Sequence, residues 1–230
     1  MAAPGEQEGN IILGSIFPNC PVSTTIGDFS LHQFFGDSWG ILFSHPADFT
    51  PVCTTELARV IQLAGEFAKR NCKVIALSCN IKKTHLLWQK DIQAVAKFDN
   101  LEFPFPIIED NNRELAIRLQ MLDPSEKDSL GLALPARAVF FIDPEKKMRA
   151  SVLYPATTGR NFDEILRMLD SMQLCDKYRV ATPEGWKKGD DVMVQPNVTD
   201  EESKKLFSQV IVLSVPSGKE YMKKTSLKDI

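Results

Sequence analysis

The segment Ser44-His45-Pro46-Ala47-Asp48-Phe49-Thr50-Pro51-Val52-Cys53-Thr54-Thr55-Glu56 constrains this chain more than any other, because two different periodicities meet across it. On its N-terminal side, Trp39 to Phe43 is an apolar run. On its C-terminal side, Leu57, Val60, Ile61, Ala64, Phe67 and Ala68 recur at three- and four-residue spacing within Thr54 to Arg70. The pattern predicts strand, loop, helix. Cys53 then falls in the first turn of a helix, where unpaired backbone N–H groups and the positive end of the helix dipole favour an anion, so the thiolate is the expected form. Pro51 fixes its own φ and Pro46 biases His45 towards an extended conformation, which stiffens the loop. Two readings of Thr50 and Cys53 are open. Thr50 stands within reach of the sulfur, where its hydroxyl can donate to a thiolate or orient an incoming oxygen; alternatively it is a helix N-cap and Cys53 a small buried apolar residue.

The rest of the chain alternates in the same manner. Ile12 to Leu31, broken by Pro18, Pro21 and Gly27, suits a loop or short hairpin. Lys73 to Cys79 reads as a central strand covered on both faces. A helix at Thr84 to Phe98, a strand at Pro106 to Glu109 and a helix at Asn112 to Leu122 follow. Strands at Ala138 to Ile142 and Ala150 to Tyr154 are joined by the turn Asp143-Pro144-Glu145-Lys146-Lys147, and Phe162 to Leu174 reads as a helix. This order predicts an α/β sheet sandwiched by helices. With 230 residues and 43% hydrophobic composition, there is material for one good core and a small second one. After Tyr178 the texture changes, with Pro183, Gly185 and Gly189, a short strand at Val192 to Val194, a short helix near Asp200 to Phe207, an apolar stretch at Val210 to Val215 and a polar tail. Residues 1–178 are therefore read as the main domain and 179–230 as a small C-terminal extension.

A formal charge of −3 gives no electrostatic case for nucleic acid or an anionic membrane, and the lysine pairs 187–188, 204–205 and 223–224 read as solvated faces. Met1 to Asn10 carries no targeting pattern, and no apolar run approaches membrane-spanning length. The cysteines Cys20, Cys53, Cys72, Cys79 and Cys175 form an odd set without a CxxC pair or metal-ligand spacing. A reducing, cytoplasmic setting is expected, and no metal or cofactor is implied.

The pattern proline, three residues, threonine, two residues, cysteine, at Pro46, Thr50 and Cys53, resembles the active-site signature of the peroxiredoxins. The wording from Ser44 to Glu56 is most similar to the one-cysteine members of the peroxiredoxin 6 subgroup. The similarity continues through Leu153-Tyr154-Pro155-Ala156-Thr157-Thr158-Gly159-Arg160-Asn161-Phe162-Asp163-Glu164-Ile165-Leu166-Arg167 and spans about Ile12 to Tyr221. The resemblance implies a thioredoxin-like fold, an extension that reaches across a partner in a homodimer, and reduction of hydrogen peroxide and organic or lipid hydroperoxides through a sulfenic acid on Cys53. It assigns Arg137, in Pro135-Ala136-Arg137-Ala138, as the principal donor, with Arg160 as a second and Glu56 holding the arginines. His45 either tunes the pocket or is bonded for structure. Where two-cysteine relatives carry a resolving cysteine, Val180-Ala181-Thr182-Pro183-Glu184-Gly185-Trp186 has none. An external thiol, glutathione or a small redox protein, is therefore the expected reductant; Cys175 is read as a resolving thiol or a plain helix-end cysteine, and Cys72 and Cys79 as structural.

A second motif is weaker. Gly36-Asp37-Ser38-Trp39-Gly40 fits G-x-S-x-G and His32 lies nearby, but Ser38 precedes a strand, whereas a nucleophile elbow follows one. In the subgroup this stretch is associated with phospholipase A2 and lysophospholipid acyltransferase activities, which implies a phospholipid surface as a partner, with Glu145 at the acidic position. The other reading makes Ser38 a turn residue and His32 a packing residue.

Overall fold

The computed structural model describes residues 11–99 and 102–227, so the expectation that Met1 to Asn10 holds no targeting signal lies outside the described residues. The chain divides into two compact units, Met1–Phe162 and Asp163–Ile230. The division falls just after the first residue of the last long helix, whereas the change of composition follows that helix at Tyr178.

In chain order the first unit forms β1 (Pro21–Thr24), β2 (Gly27–Ser30), α1 (Leu31–Phe35), β3 (Trp39–Ser44), α2 (Pro51–Gln62), α3 (Ala64–Lys69), β4 (Cys72–Ser78), α4 (Lys82–Ala96), β5 (Ile107–Glu109), α5 (Glu114–Arg118), β6 (Leu122–Lys127), β7 (Ala133–Pro135), β8 (Arg137–Ile142) and β9 (Met148–Tyr154). Its seven-stranded sheet has the order β2-β1-β5-β4-β3-β8-β9. The central strands β3, β4 and β5 run parallel, and β8 and β9 continue the sheet antiparallel. All six residues of β3 and of β8 are buried, as strands covered on both faces require. On one face Leu42, Ile75, Leu77, Phe140 and Ile142 pack with Phe17, Leu31 and Phe35. Alternation sends Phe43 to the other face, where its ring meets Phe105 and Phe162 edge-on. Gly40 is required at its position, because a Cβ there would run into the Phe35 ring.

The local departures from expectation have backbone causes. Thr54 to Arg70 is two helices, since the chain breaks step at Leu63, whose N–H is shared between the Arg59 and Val60 carbonyls. The apolar stripe crosses this tightened turn almost unchanged in phase, which is why periodicity does not reveal it. The helix expected from Asn112 to Leu122 shrinks to α5, bracketed by left-handed residues Arg113 (φ 63°) and Gln120 (φ 52°). Leu122 instead enters β6, a polar strand paired with β7.

The second unit contains nearly all of α6 (Phe162–Tyr178), then β10 (Val180–Ala181), β11 (Val192–Val194), α7 (Asp200–Leu206), β12 (Ile211–Val212) and β13 (Lys223–Thr225). Its strands make a four-stranded sheet in the order β10-β11-β13-β12, so the tail expected to be merely polar supplies an inner strand. Val180, Trp186, Val192, Val194, Val198 and Phe207 form its core. A capping box between Thr199 and Glu202 starts α7.

Candidate active site

β3 ends at Ser44, and after the loop from His45 to Thr50 the chain enters α2 at Pro51. Phe49 adopts a left-handed conformation (φ 55°) and packs against Trp88, which turns the backbone into the helix. Thr50 occupies the N-cap position with extended backbone, Pro51 opens the first turn, and Cys53 follows within that turn. Thr50 does not cap with its side chain: its hydroxyl donates to the Ala47 carbonyl at 2.9 Å. That proton is committed, so the oxygen offers lone pairs to the space around it. Cys53 is 0% exposed.

β8 opens with Arg137, which brings a guanidinium to the sulfur. Nη1 donates to Cys53 Sγ at 3.3 Å and to Glu56 Oε2 at 2.7 Å, while Nε and Nη2 both donate to the Ala156 carbonyl, at 2.9 and 2.6 Å. Glu56, three residues beyond Cys53 on the same helix, also receives Arg160. The Arg160 backbone N–H donates to Glu56 Oε1 at 2.6 Å, Nε to the same oxygen at 3.0 Å and Nη2 to Oε2 at 2.8 Å. The remaining Arg160 Nη1 donates to the Ala138 carbonyl at 2.7 Å, and the guanidinium lies over Phe43 and Phe162. Burial works against the Glu56 carboxylate, but the hydrogen bonds and charge of Arg160, with the charge of Arg137, outweigh it and hold this carboxyl below its ordinary range. Desolvation lowers Arg160 despite Glu56, though a guanidinium stays charged.

Pro46 belongs to the loop and His45 lies beneath it, fully buried. His45 Nε2 meets Asp48 Oδ1 at 2.9 Å, and the other carboxylate oxygen meets His85 Nδ1 at 2.7 Å. His85 Nε2 faces the Ile108 carbonyl at 3.2 Å. Burial lowers His45 more than Asp48 raises it, and the two histidines hold Asp48 well below the usual carboxylate range against its own burial. His45 Nδ1 is buried without a hydrogen-bond partner among the described residues. The spacing of His45 and Asp48 hints at this pairing; nothing in the sequence points to His85, which comes from α4.

The Ser38 motif does not assemble. Ser38 Oγ donates to Asn71 Oδ1 at 2.9 Å, and His32 Nε2 donates to the Phe17 carbonyl at 2.6 Å, which leaves that nitrogen no lone pair for a serine proton. Asp37 is exposed, and Glu145 pairs with Lys147 at 2.7 Å. Ser38 is the residue at the turn into β3, and no catalytic pairing connects it with His32 among the described residues.

No disulfide joins any of the five cysteines among the described residues. Burial pushes the thiols of Cys72 and Cys79 up to about 12. Cys175 is half-buried in α6, within the second unit.

Comparison with known proteins places this geometry in context. Residues 13–151 match the AhpC/TSA family and residues 171–209 the C-terminal domain of 1-Cys peroxiredoxin. The chain is 58% identical over 219 residues to peroxiredoxin-6 of Homo sapiens, covering 94% of this chain and 98% of that protein. Peroxiredoxin-6 of Gallus gallus is 57% identical, with 94% and 97% covered. Among solved structures, a cysteine-to-serine mutant of the peroxiredoxin 6 of Arenicola marina superposes with a TM-score of 0.93 at 52% identity, covering 96% of this chain and all of that one. A yeast mitochondrial 1-Cys peroxiredoxin, described with a thiol resolving mechanism via glutathione/thioredoxin systems, superposes with a TM-score of 0.84 at 40% identity over 94% of this chain and 100% of its own. The fold is thioredoxin-like with a C-terminal extension, and the chain belongs to the peroxiredoxins, as a one-cysteine, peroxiredoxin 6-like thiol peroxidase.

Proposed function

We propose that Cys53 is the peroxidatic residue, that Arg137 and Thr50 orient the peroxide against it, and that an external thiol completes the cycle. The observation that carries this reading is the 3.3 Å contact between Arg137 Nη1 and Cys53 Sγ, inside a cluster whose charges are incomplete without the sulfur. Arg137 and Arg160 supply two positive charges and Glu56 one negative charge, all buried, and a thiolate at Cys53 is the anion that neutralises the remainder.

The thiolate attacks one oxygen of the peroxide, the O–O bond breaks, and its electron pair leaves with the other oxygen, which takes a proton to become water or an alcohol. Arg137 stabilises the charge that moves from sulfur to the departing oxygen. Thr50, its own proton held by Ala47, accepts the hydrogen of the peroxide and sets the line of attack. Pro46 and Pro51 keep the loop in place, and Glu56 and Arg160 keep Arg137 aimed. Cys53 is left as a sulfenic acid. One external thiol condenses with it to a mixed disulfide, releasing water; a second thiol attacks that disulfide and restores Cys53.

Glutathione, or a small redox protein, is the reductant this reading favours, supported by the 1-Cys relative described with glutathione/thioredoxin systems. Hydrogen peroxide and organic or lipid hydroperoxides are the substrates, and a phospholipid surface enters only as the place where lipid hydroperoxides are met. A cytoplasmic location fits five cysteines with no disulfide among the described residues. A homodimer is supported by β9, which lies at the end of the sheet order and carries Leu153 63% exposed.

Rapid mixing of reduced protein with hydrogen peroxide, followed by tryptophan fluorescence and by mass spectrometry, tests the reading. A fast phase that disappears in Cys53→Ser, with one oxygen added at Cys53, is the expected result. A reaction at the rate of an ordinary thiol, unchanged in the variant, would overturn it.

A further inference from the structure

Ser44 is the last residue of β3 and is 0% exposed. Its backbone follows the parallel ladder with β4, opposite Leu77. The antiparallel ladder with β8 stops one residue earlier, at Phe43 opposite Val139. The Ser44 side chain takes over where that ladder ends: Oγ donates to the Ala136 carbonyl at 2.6 Å and accepts the Ala138 N–H at 3.0 Å. These groups flank Arg137, one on each side. A hydroxyl carries one proton and two lone pairs, so a single oxygen satisfies both.

We propose that Ser44 is a positioning residue for the peroxidase, its hydroxyl setting the backbone on either side of Arg137 and through it the aim of the guanidinium at Cys53 and the peroxide. The proposal rests on the reading of Arg137 as the donor to thiolate and peroxide. Arg137 is the first residue of β8, where a strand that lacks pairing frays. Its outer side is paired, opposite Tyr154 of β9. Towards β3 the Ser44 hydroxyl supplies the missing constraint. The same serine leads directly into the loop that carries Cys53, so the strand holding the guanidinium and the segment holding the sulfur are joined through one side chain. The surroundings sharpen the point. Leu42, Leu77 and Ala138 belong to the apolar cluster on this face of the sheet, where a hydroxyl is tolerated only because both of its bonds are made. Arg160 Nη1 adds a third constraint at the Ala138 carbonyl.

The test compares Ser44→Thr with Ser44→Val, two side chains of nearly the same shape that differ in the hydroxyl, beside Arg137→Lys. For each variant the second-order rate with hydrogen peroxide is measured by stopped-flow fluorescence, well below the lowest melting temperature of the set. The expected result is that Ser44→Thr keeps the rate of the unmodified protein to within a few-fold, that Ser44→Val reacts about ten- to a hundredfold more slowly than Ser44→Thr, and that Arg137→Lys is slower still. Equal rates for the Thr and Val variants, with Arg137→Lys slow, would overturn the role of Ser44. Arg137→Lys as fast as the unmodified protein would remove the reading on which the proposal stands, and the proposal with it. Should the valine variant fail to fold, Ser44→Ala against the unmodified protein carries the same expectation and the same refutation.

Discussion

Glu56 lies three residues beyond Cys53 on α2 and accepts a hydrogen bond from Arg137 Nη1 at 2.7 Å, so the group that reaches the thiol is held by a residue of the thiol's own helix. Because Nη1 touches both Glu56 and the sulfur, the arginine is aimed by geometry that a lysine ammonium cannot reproduce. Arg137→Lys should therefore slow the reaction with hydrogen peroxide by about 10²- to 10³-fold, the usual cost of one preorganised donor, and stopped-flow fluorescence measures this directly.

Glu56 compensates two buried arginines, so its neutralisation has a structural cost as well. Glu56→Gln should lose about 3–5 kcal/mol of stability at neutral pH, as expected when a buried ion pair is broken from one side. Its folded carboxyl is held below the ordinary value. The stabilisation is therefore present above the unfolded value of roughly 4.3 and is lost as pH falls through the folded one. Denaturant melts from pH 7 down to pH 3 should show a steeper acid loss in the unmodified protein than in the Gln variant; parallel curves would contradict the assignment.

Between these residues and the sequence the correspondence is uneven. The strand, loop and helix around Cys53 follow from apolar spacing, and Pro46, Thr50, Cys53 and Arg137 stand in motifs that chemistry can read. Glu56 is findable as the carboxylate one turn past the cysteine. Ser44 is different in kind: its contribution depends on where a backbone ladder stops, which no periodicity records. His85 likewise reaches Asp48 from another helix, with no sequence signal for the approach. Leu63 hides its break because the apolar stripe passes through it, and β13 hides in the tail because a three-residue strand is too short for alternation to register.

His45 gives a pH signature distinct from that of Glu56. Burial keeps it neutral in the fold to lower pH than in the unfolded chain, which takes up its proton near 6.5. Stability should therefore begin to fall as pH drops below about 6.5, well before the carboxylates titrate. In His45→Gln, whose amide nitrogen reaches about as far as Nε2, the slope between pH 6.5 and 5 should flatten, as read from melting temperature against pH.

Cys72 and Cys79, with thiols pushed up to about 12, stay protonated at neutral pH. Brief alkylation with iodoacetamide at pH 7, followed by peptide mass spectrometry, should leave both unmodified in the folded protein and modify both after denaturation.

Full burial of Cys53 sorts its partners by size. Hydrogen peroxide is scarcely larger than a pair of waters, whereas a tripeptide or protein thiol, like a lipid hydroperoxide, cannot approach a side chain with no exposed surface. On the reading of Cys53 as the peroxidatic residue, turnover with any of these larger partners requires the first turn of α2, beginning at Pro51, to open. The rate of that opening sets an upper limit on recycling. While the turn stays shut, a sulfenic acid at Cys53 is reachable by hydrogen peroxide but not by a bulky thiol, so on that reading the packing around Cys53 sets how much oxidant the protein withstands before it is driven to the sulfinic state.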